Sequence, residues 1–203
     1  MKKAAEFTSP PKDYNVIVPD GWFQLPLDPD DRDHGIGALA ERTFRGVDNA
    51  PHLKEQFMRD LQRKAKDAYK VGGIELYIST LTIGPVPLAS SLLISVPAPD
   101  EWPKCSGAEE LAAHLAGGDI GEGGELGVAE LEAAGNAVRH RRREAPDPAA
   151  QLGNTLPTTT LTYYVPVPAS TQWLLLNFST PIDPLADRMV ELFDTVAGTL
   201  HWA

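Results

Sequence analysis

From Thr159 to Val167 the chain alternates. Leu161, Tyr163, Val165 and Val167 fall on one side of an extended segment and polar or bulky partners on the other. After the turn Pro168-Ala169-Ser170-Thr171, Trp173 to Ser179 repeats the pattern, with Leu174, Leu176 and Phe178 on one side. Both read as strands. A different period governs residues 51–70. Leu53, Phe57, Leu61, Ala65 and Ala68 recur at spacings of three and four and predict an amphipathic helix. Asn49 is the expected cap, Pro51 sits in the first turn, and Gly72-Gly73 ends the segment. The same helical period over Met189, Val190, Phe193, Val196, Ala197 and Leu200 predicts a closing helix capped by Asp183 and begun at Pro184.

Shorter signals fill the intervals. Tyr14 to Val18 and Trp22 to Leu25, split by Pro19-Asp20-Gly21, predict an opening hairpin. Residues 28–35 read as an acidic loop, with a short helix or turn over 36–45. Ile74 to Ser79 and Leu88 to Val96 predict strands on either side of Gly84-Pro85-Val86-Pro87. Ser106-Gly107-Ala108-Glu109 matches a capping box before a short helix. Val128 to Leu131 and Ala137 to Arg143 predict two strands turning at Ala134-Gly135-Asn136. Residues 144–157 form a proline-rich loop. Residues 1–13, small and polar, read as a disordered lead-in, and residues 14–203 as a single α+β domain, since no repeat or composition break divides them. Strands joined in antiparallel order, with helices between them, predict a mostly antiparallel sheet flanked by helices.

Composition adjusts this picture in three ways. A hydrophobic share of 42% in 203 residues is enough for a core without disulfides, and the one cysteine, Cys105, allows none within the chain. The apolar stretches are too short for a membrane span and no apolar leader follows Lys2-Lys3, so a cytoplasmic location is expected. The net charge of −10 is uneven. Residues 1–70 balance 12 Lys/Arg against 12 Asp/Glu, whereas residues 71–203 carry 6 against 16. Such a surface disfavours nucleic acid, whose phosphates require cations to displace their counterions.

The motifs for chemistry fail on spacing. In Gly117 to Gly127, a dinucleotide fingerprint would need glycine where Leu126 stands, and Asp119, Glu122 and Glu125 repel phosphate. A calcium loop beginning at Asp119 and ending at Glu130 lacks side-chain oxygens at Gly121 and Gly123. A mobile loop is expected there instead. His34, His52, His114, His140 and His201 stand singly, without metal-ligand spacing. Cys105 has Lys104 beside it and a helix start nearby, which would lower its pKa, but no histidine or second cysteine is close in sequence. No cofactor or metal is implied. Asp28, Asp30, Asp31 and Asp33 read as a solvated loop. Trp22, Trp102, Trp173 and Trp202 read as core or rim packing.

The sharpest local feature is Arg139-His140-Arg141-Arg142-Arg143, a basic run in an acidic half. On a strand, Arg139, Arg141 and Arg143 share one face, and His140 and Arg142 the other. Two readings stand side by side. One makes Arg139, Arg141, Arg142 and Arg143 a grip for an acidic partner. The other makes the run an edge strand whose charges block aggregation and pair with neighbouring acids.

Two segments carry a resemblance. Tyr14-Asn15-Val16-Ile17-Val18-Pro19-Asp20-Gly21-Trp22 looks like the entry of PsbP/Mog-like α/β/α sandwiches. Trp173 to Pro181, followed by Phe193-Asp194-Thr195-Val196-Ala197-Gly198-Thr199-Leu200, looks like their last strand and closing helix. The chain also resembles uncharacterised actinobacterial proteins of this type, some of which accompany specialised secretion genes. The resemblance implies an α/β/α sandwich and a non-enzymatic protein-binding adaptor or chaperone, with another protein as partner and a homo-oligomer allowed. It brings no catalytic residues. Two alternatives stay open: a small-ligand binder, and an enzyme whose site is assembled from distant residues around Cys105 or the histidines.

Overall fold

The computed structural model describes residues 7–46, 51–84, 86–99, 102–121, 123–146 and 156–203. Its strands are β1 (Tyr14–Asn15), β2 (Trp22–Pro26), β3 (Gly73–Ser79), β4 (Thr82–Ile83), β5 (Val86–Pro87), β6 (Ser91–Ser95), β7 (Glu125–Leu131), β8 (Gly135–Glu144), β9 (Thr158–Pro166), β10 (Trp173–Thr180) and β11 (His201–Trp202). Its helices are α1 (Pro29–Thr43), α2 (Pro51–Lys70), α3 (Ala108–Ala116) and α4 (Ala186–Gly198). Seven strands form one sheet in the order β2-β3-β6-β10-β9-β8-β7, every neighbouring pair antiparallel. This is the expected α+β sandwich, with helices on both faces of a mostly antiparallel sheet. Among the described residues no helix is long and apolar enough to cross a membrane.

Alternation along the strands builds two unequal faces. Leu92, Ile94, Leu161, Tyr163, Val165, Leu174, Leu176 and Phe178 point to α4, which answers with Met189, Val190, Phe193, Val196, Ala197 and, just past its end, Leu200. Phe178 and Phe193 stack at 4.9 Å, and Trp22 meets Phe193 edge-on at 6.4 Å. The opposite face carries two smaller clusters. One lies under α1 and α2, around Leu25, Leu27, Ile36, Leu39, Leu61, Ala65 and Leu76. The other lies under α3, around Ala108, Leu111, Val138, Tyr164 and Trp173. Between those two clusters, among the described residues, no helix covers the sheet.

Several expectations are corrected. The opening segments form no hairpin: Tyr14 and Asn15 pair with Trp202 and His201, while β2 pairs with β3. The strand β2 is apolar on both faces, Trp22 in the α4 cluster and Leu25 in the other, so it belongs inside a covered sheet, whereas Asn15 is exposed. The acidic residues 28–35 are not a loop. Asp28 caps α1 by accepting the Asp30 N–H at 2.9 Å, Pro29 opens the helix, and Asp30 and Asp31 occupy its first turn, where the dipole favours anions. The capping box before α3 is displaced by one residue. Gly107 is the cap position, and Glu110, not Glu109, takes the Ser106 N–H and hydroxyl at 2.8 and 2.7 Å. Those bonds hold the Glu110 carboxyl below its ordinary range. Asp183 does not cap α4 either. A single 3-10 turn, Asp183–Leu185, precedes the helix, and the Asp183 carboxylate is paired with Arg143 at 3.0 Å. The hairpin β4-β5 was unsignalled, its strands being two residues each. Asn49, the expected cap of α2, lies outside the described residues.

Candidate functional site

The uncovered interval of the sheet is a groove of about 1010 Å³. Its floor follows from register. Leu76, Leu93 and Asn177 form one cross-strand row, and Ile78, Ser91 and Ser179 the next. Ser91 and Ser179 share a hydroxyl hydrogen bond of 2.8 Å. One wall is the inner side of α1 and α2: Leu39, Arg42, Thr43, Phe57, Leu61, Lys64 and Ala68. The other is the segment from Thr80 to Ala89 that includes the β4-β5 hairpin. The volume is at the upper end of what small-molecule pockets offer, roughly 300–1,000 Å³, and the groove is open along the sheet.

The lining has a definite chemistry. It is apolar on the helix side and hydroxyl- and amide-bearing on the floor. Among the described residues Arg42 and Lys64 are its charged members, and no Asp, Glu, His or Cys lines it. Among the described residues neither cation is in an ion pair, although their helices carry other pairs such as Arg63 with Asp60 at 2.5 Å. In a chain of net charge −10, a groove whose described lining has two cations and no acid is a local reversal of sign.

The arginine run lies elsewhere for the most part. The expected alternation holds. Arg139, Arg141 and Arg143 project toward the α4 face, and His140 and Arg142 toward the groove's face. Arg139 makes a fork to Asp194, Nε to Oδ1 at 2.9 Å and Nη2 to Oδ2 at 3.1 Å, and reaches Glu125 at 3.2 Å. The Tyr163 hydroxyl donates to the same Asp194 at 2.8 Å. Bonding to Asp194 raises the Arg139 pKa, and burial raises that of Tyr163. Arg141 pairs with Asp187 at 2.5 Å and Glu125 at 3.4 Å, and Arg142 pairs with Glu144 at 2.9 Å. The run therefore meets acids from β7, α4 and its own strand. Of the four arginines, Arg142 alone is in register with the groove floor, following Ser91, Ser179 and Thr160 along one row. Of the edge-strand reading, the pairing with neighbouring acids holds and the edge position does not, because β8 is paired on both sides and β7 lies outside it.

The remaining candidates stay apart. Cys105 sits against the α3 cluster, where burial and then Glu110 push its thiol up, as suits a lone thiol and not one activated by Lys104. His34, His52 and His114 are exposed on α1, α2 and α3, and His201 is exposed on β11. His140 is buried, with Nε2 at 3.2 Å from the Ile120 carbonyl and Nδ1 without a partner, and burial lowers its pKa. Among the described residues no group of three or more His, Cys, Asp or Glu could hold a metal. In the glycine-rich segment Asp119 accepts the Gly121 N–H at 2.8 Å, and Glu130 stands in β7 opposite Asn136. Trp22 and Trp173 are core, and Trp102 packs on Tyr164 at 5.6 Å.

No protein-family model matches the sequence, and no curated protein does. Among solved structures the chain is similar to the Ran-binding protein Mog1p of Saccharomyces cerevisiae, at 8% identity over 93% of this chain and 89% of that chain, with a TM-score of 0.46. It is also similar to LpqN of Mycobacterium tuberculosis, a protein involved in cell envelope biogenesis, at 12% identity over 96% of this chain and 86% of that chain, with a TM-score of 0.48. Both have the Mog1/PsbP-like fold.

Proposed function

We propose that this protein is a non-enzymatic, adaptor- or chaperone-like binder of another protein, and that its groove receives an apolar segment bearing carboxylates. The lining carries this reading. Phe57, Ile78 and Leu93 offer apolar surface, and Arg42 and Lys64, in no ion pair among the described residues, offer positive charge at its border. Apolar anchors with a charged rim are the anatomy of a peptide-receiving surface. The same lining supports binding over turnover. Among the described residues the lining holds no His, Asp, Glu or Cys to act as general base for its hydroxyls. Arg142, on the same face, would extend the cationic border on leaving Glu144, and Arg139, Arg141 and Arg143 as partner contacts would likewise first have to leave their acids.

The test is an array of synthetic peptides of fixed Leu and Phe content whose charged positions run from all Glu to all Lys, measured by fluorescence anisotropy. The acidic members are expected to bind roughly tenfold tighter than the basic ones, about the effect of two exposed charge pairs. The double substitution Arg42→Glu with Lys64→Glu reverses that order, and both positions are exposed, so the fold is kept. Equal binding across the array, or a variant that keeps the wild-type order, refutes the reading.

A further inference from the structure

The sheet ends in two edges of different character. At one edge, β2 is five residues long and ends in Pro26, which has no N–H to offer a neighbour. At the other, β7 is seven residues long, in unbroken register with β8 from Glu125 opposite Arg141 to Leu131 opposite Gly135. It contains no proline, no lysine and no bulge, the usual means of closing an edge. Gly127 and Val128 are exposed, and a Cβ added at Gly127 would meet nothing within 4 Å. Among the described residues no further strand pairs with β7.

Charge selects what could pair there. Residues 105–138 contain seven Asp/Glu and no Lys or Arg. Glu109 and Glu110 on α3, and Glu130 and Glu132 at the far end of β7, are exposed around this edge. Two copies of the chain meeting edge to edge would bring these acids together, which argues against self-pairing. We propose that β7 accepts an eighth strand from another polypeptide, an extended segment with Lys or Arg beside β-branched or aromatic residues. This surface is separate from the groove and takes the opposite charge.

Register gives the segment its pattern. In an antiparallel addition, the residues opposite Val128 and Glu130 point to the same face as those two side chains. A β-branched residue covers Val128, a cation meets Glu130, and an aromatic residue fits over the empty side of Gly127.

The probe is the fluorescein-labelled peptide Thr-Lys-Thr-Val-Tyr-Thr-Lys, which sets Lys against Glu130, Val against Val128 and Tyr against Gly127. Anisotropy is expected to saturate, and affinity to fall about tenfold between 50 and 500 mM salt as screening sets in. It falls at least as far when Glu replaces Lys in the probe, or with Val128→Lys or Glu130→Lys in the full chain, while the circular dichroism spectrum and Tm stay unchanged. Hydrogen exchange slows over residues 125–131, and the Arg42→Glu, Lys64→Glu variant binds the probe as the wild type does, which separates this surface from the groove. No saturation, indifference to both edge substitutions, or protection over α2 and β6 overturns the proposal. A dimer in sedimentation equilibrium, with β7 protected before any probe is added, overturns the choice of partner.

Discussion

Replacing Asp194 by alanine tests how α4 is held to the sheet. Asp194 accepts three hydrogen bonds, two from the Arg139 fork and one from the Tyr163 hydroxyl. The Arg139 and Asp194 side chains are 22% and 36% exposed, and Tyr163 is 4% exposed. Removing one partner of a buried pair costs about 3–5 kcal/mol, and an exposed pair contributes about 0–1. This pair lies between those limits. Glu125 remains for the stranded guanidinium, but the buried tyrosine hydroxyl loses its acceptor. Asp194→Ala should therefore destabilise by about 2–3 kcal/mol, or roughly 5–10 °C in Tm for a chain of this size. Asp194→Asn, which still accepts from Tyr163, should cost less. Urea unfolding followed by circular dichroism gives the difference, and a double-mutant cycle with Arg139→Ala isolates a coupling of about 1–2 kcal/mol. An Asp194→Ala protein within ~0.5 kcal/mol of wild type would show that the fork contributes nothing and that Arg139 is free for other work.

Two further perturbations follow from geometry. Gly72 has φ +79°, and a Cβ there would lie 2.2 Å from the Val96 carbonyl oxygen, so Gly72→Ala should cost roughly 2–3 kcal/mol in urea unfolding; a neutral result would contradict the left-handed turn between α2 and β3. Stability should fall at both ends of the pH range. Burial, then Glu75, pushes the Tyr77 hydroxyl up from 10.0 to about 12, so the folded state holds that proton more tightly. Its contribution is complete below pH 10 and is lost as pH rises through 12. His140 shifts the other way, lowered from 6.5 by burial. The unfolded chain takes up that proton first, and stability is lost as pH falls below the ordinary imidazole range. The urea midpoint measured against pH checks both, with Tyr77→Phe expected to flatten the alkaline limb and His140→Gln the acid limb.

Periodicity made much of this molecule legible. The alternation in β9 and β10 and the three-and-four spacing in α4 named core residues, because burial imposes the period of each element on its own side chains; in α2 the same spacing named the buried Leu61 and Ala65, whereas Leu53, first in the series, is 48% exposed. The alternation of Arg139, Arg141 and Arg143 against His140 and Arg142 was legible for the same reason. Local chemistry misled where one signal fits two conformations. Four aspartates read as a solvated loop, yet acids at a helix start satisfy the dipole, and Asp28 supplied the cap.

What the sequence determined by itself was the period of the long elements, and with it the face each of them turns inward. Only the tertiary structure decided neighbours. Strand order put β1 beside β11 and β2 beside β3, made β8 an interior strand and left β7 as the open edge. It also brought Asp183, Asp187 and Asp194, distant in sequence and up to 55 residues away, onto the arginine run. The groove has the same origin: Arg42, Lys64, Ser91 and Ser179 share no sequence pattern and meet because helices cover two parts of one face and leave the interval between them. Pairing across a sheet depends on distant strands burying their common surface, and no local period encodes that choice.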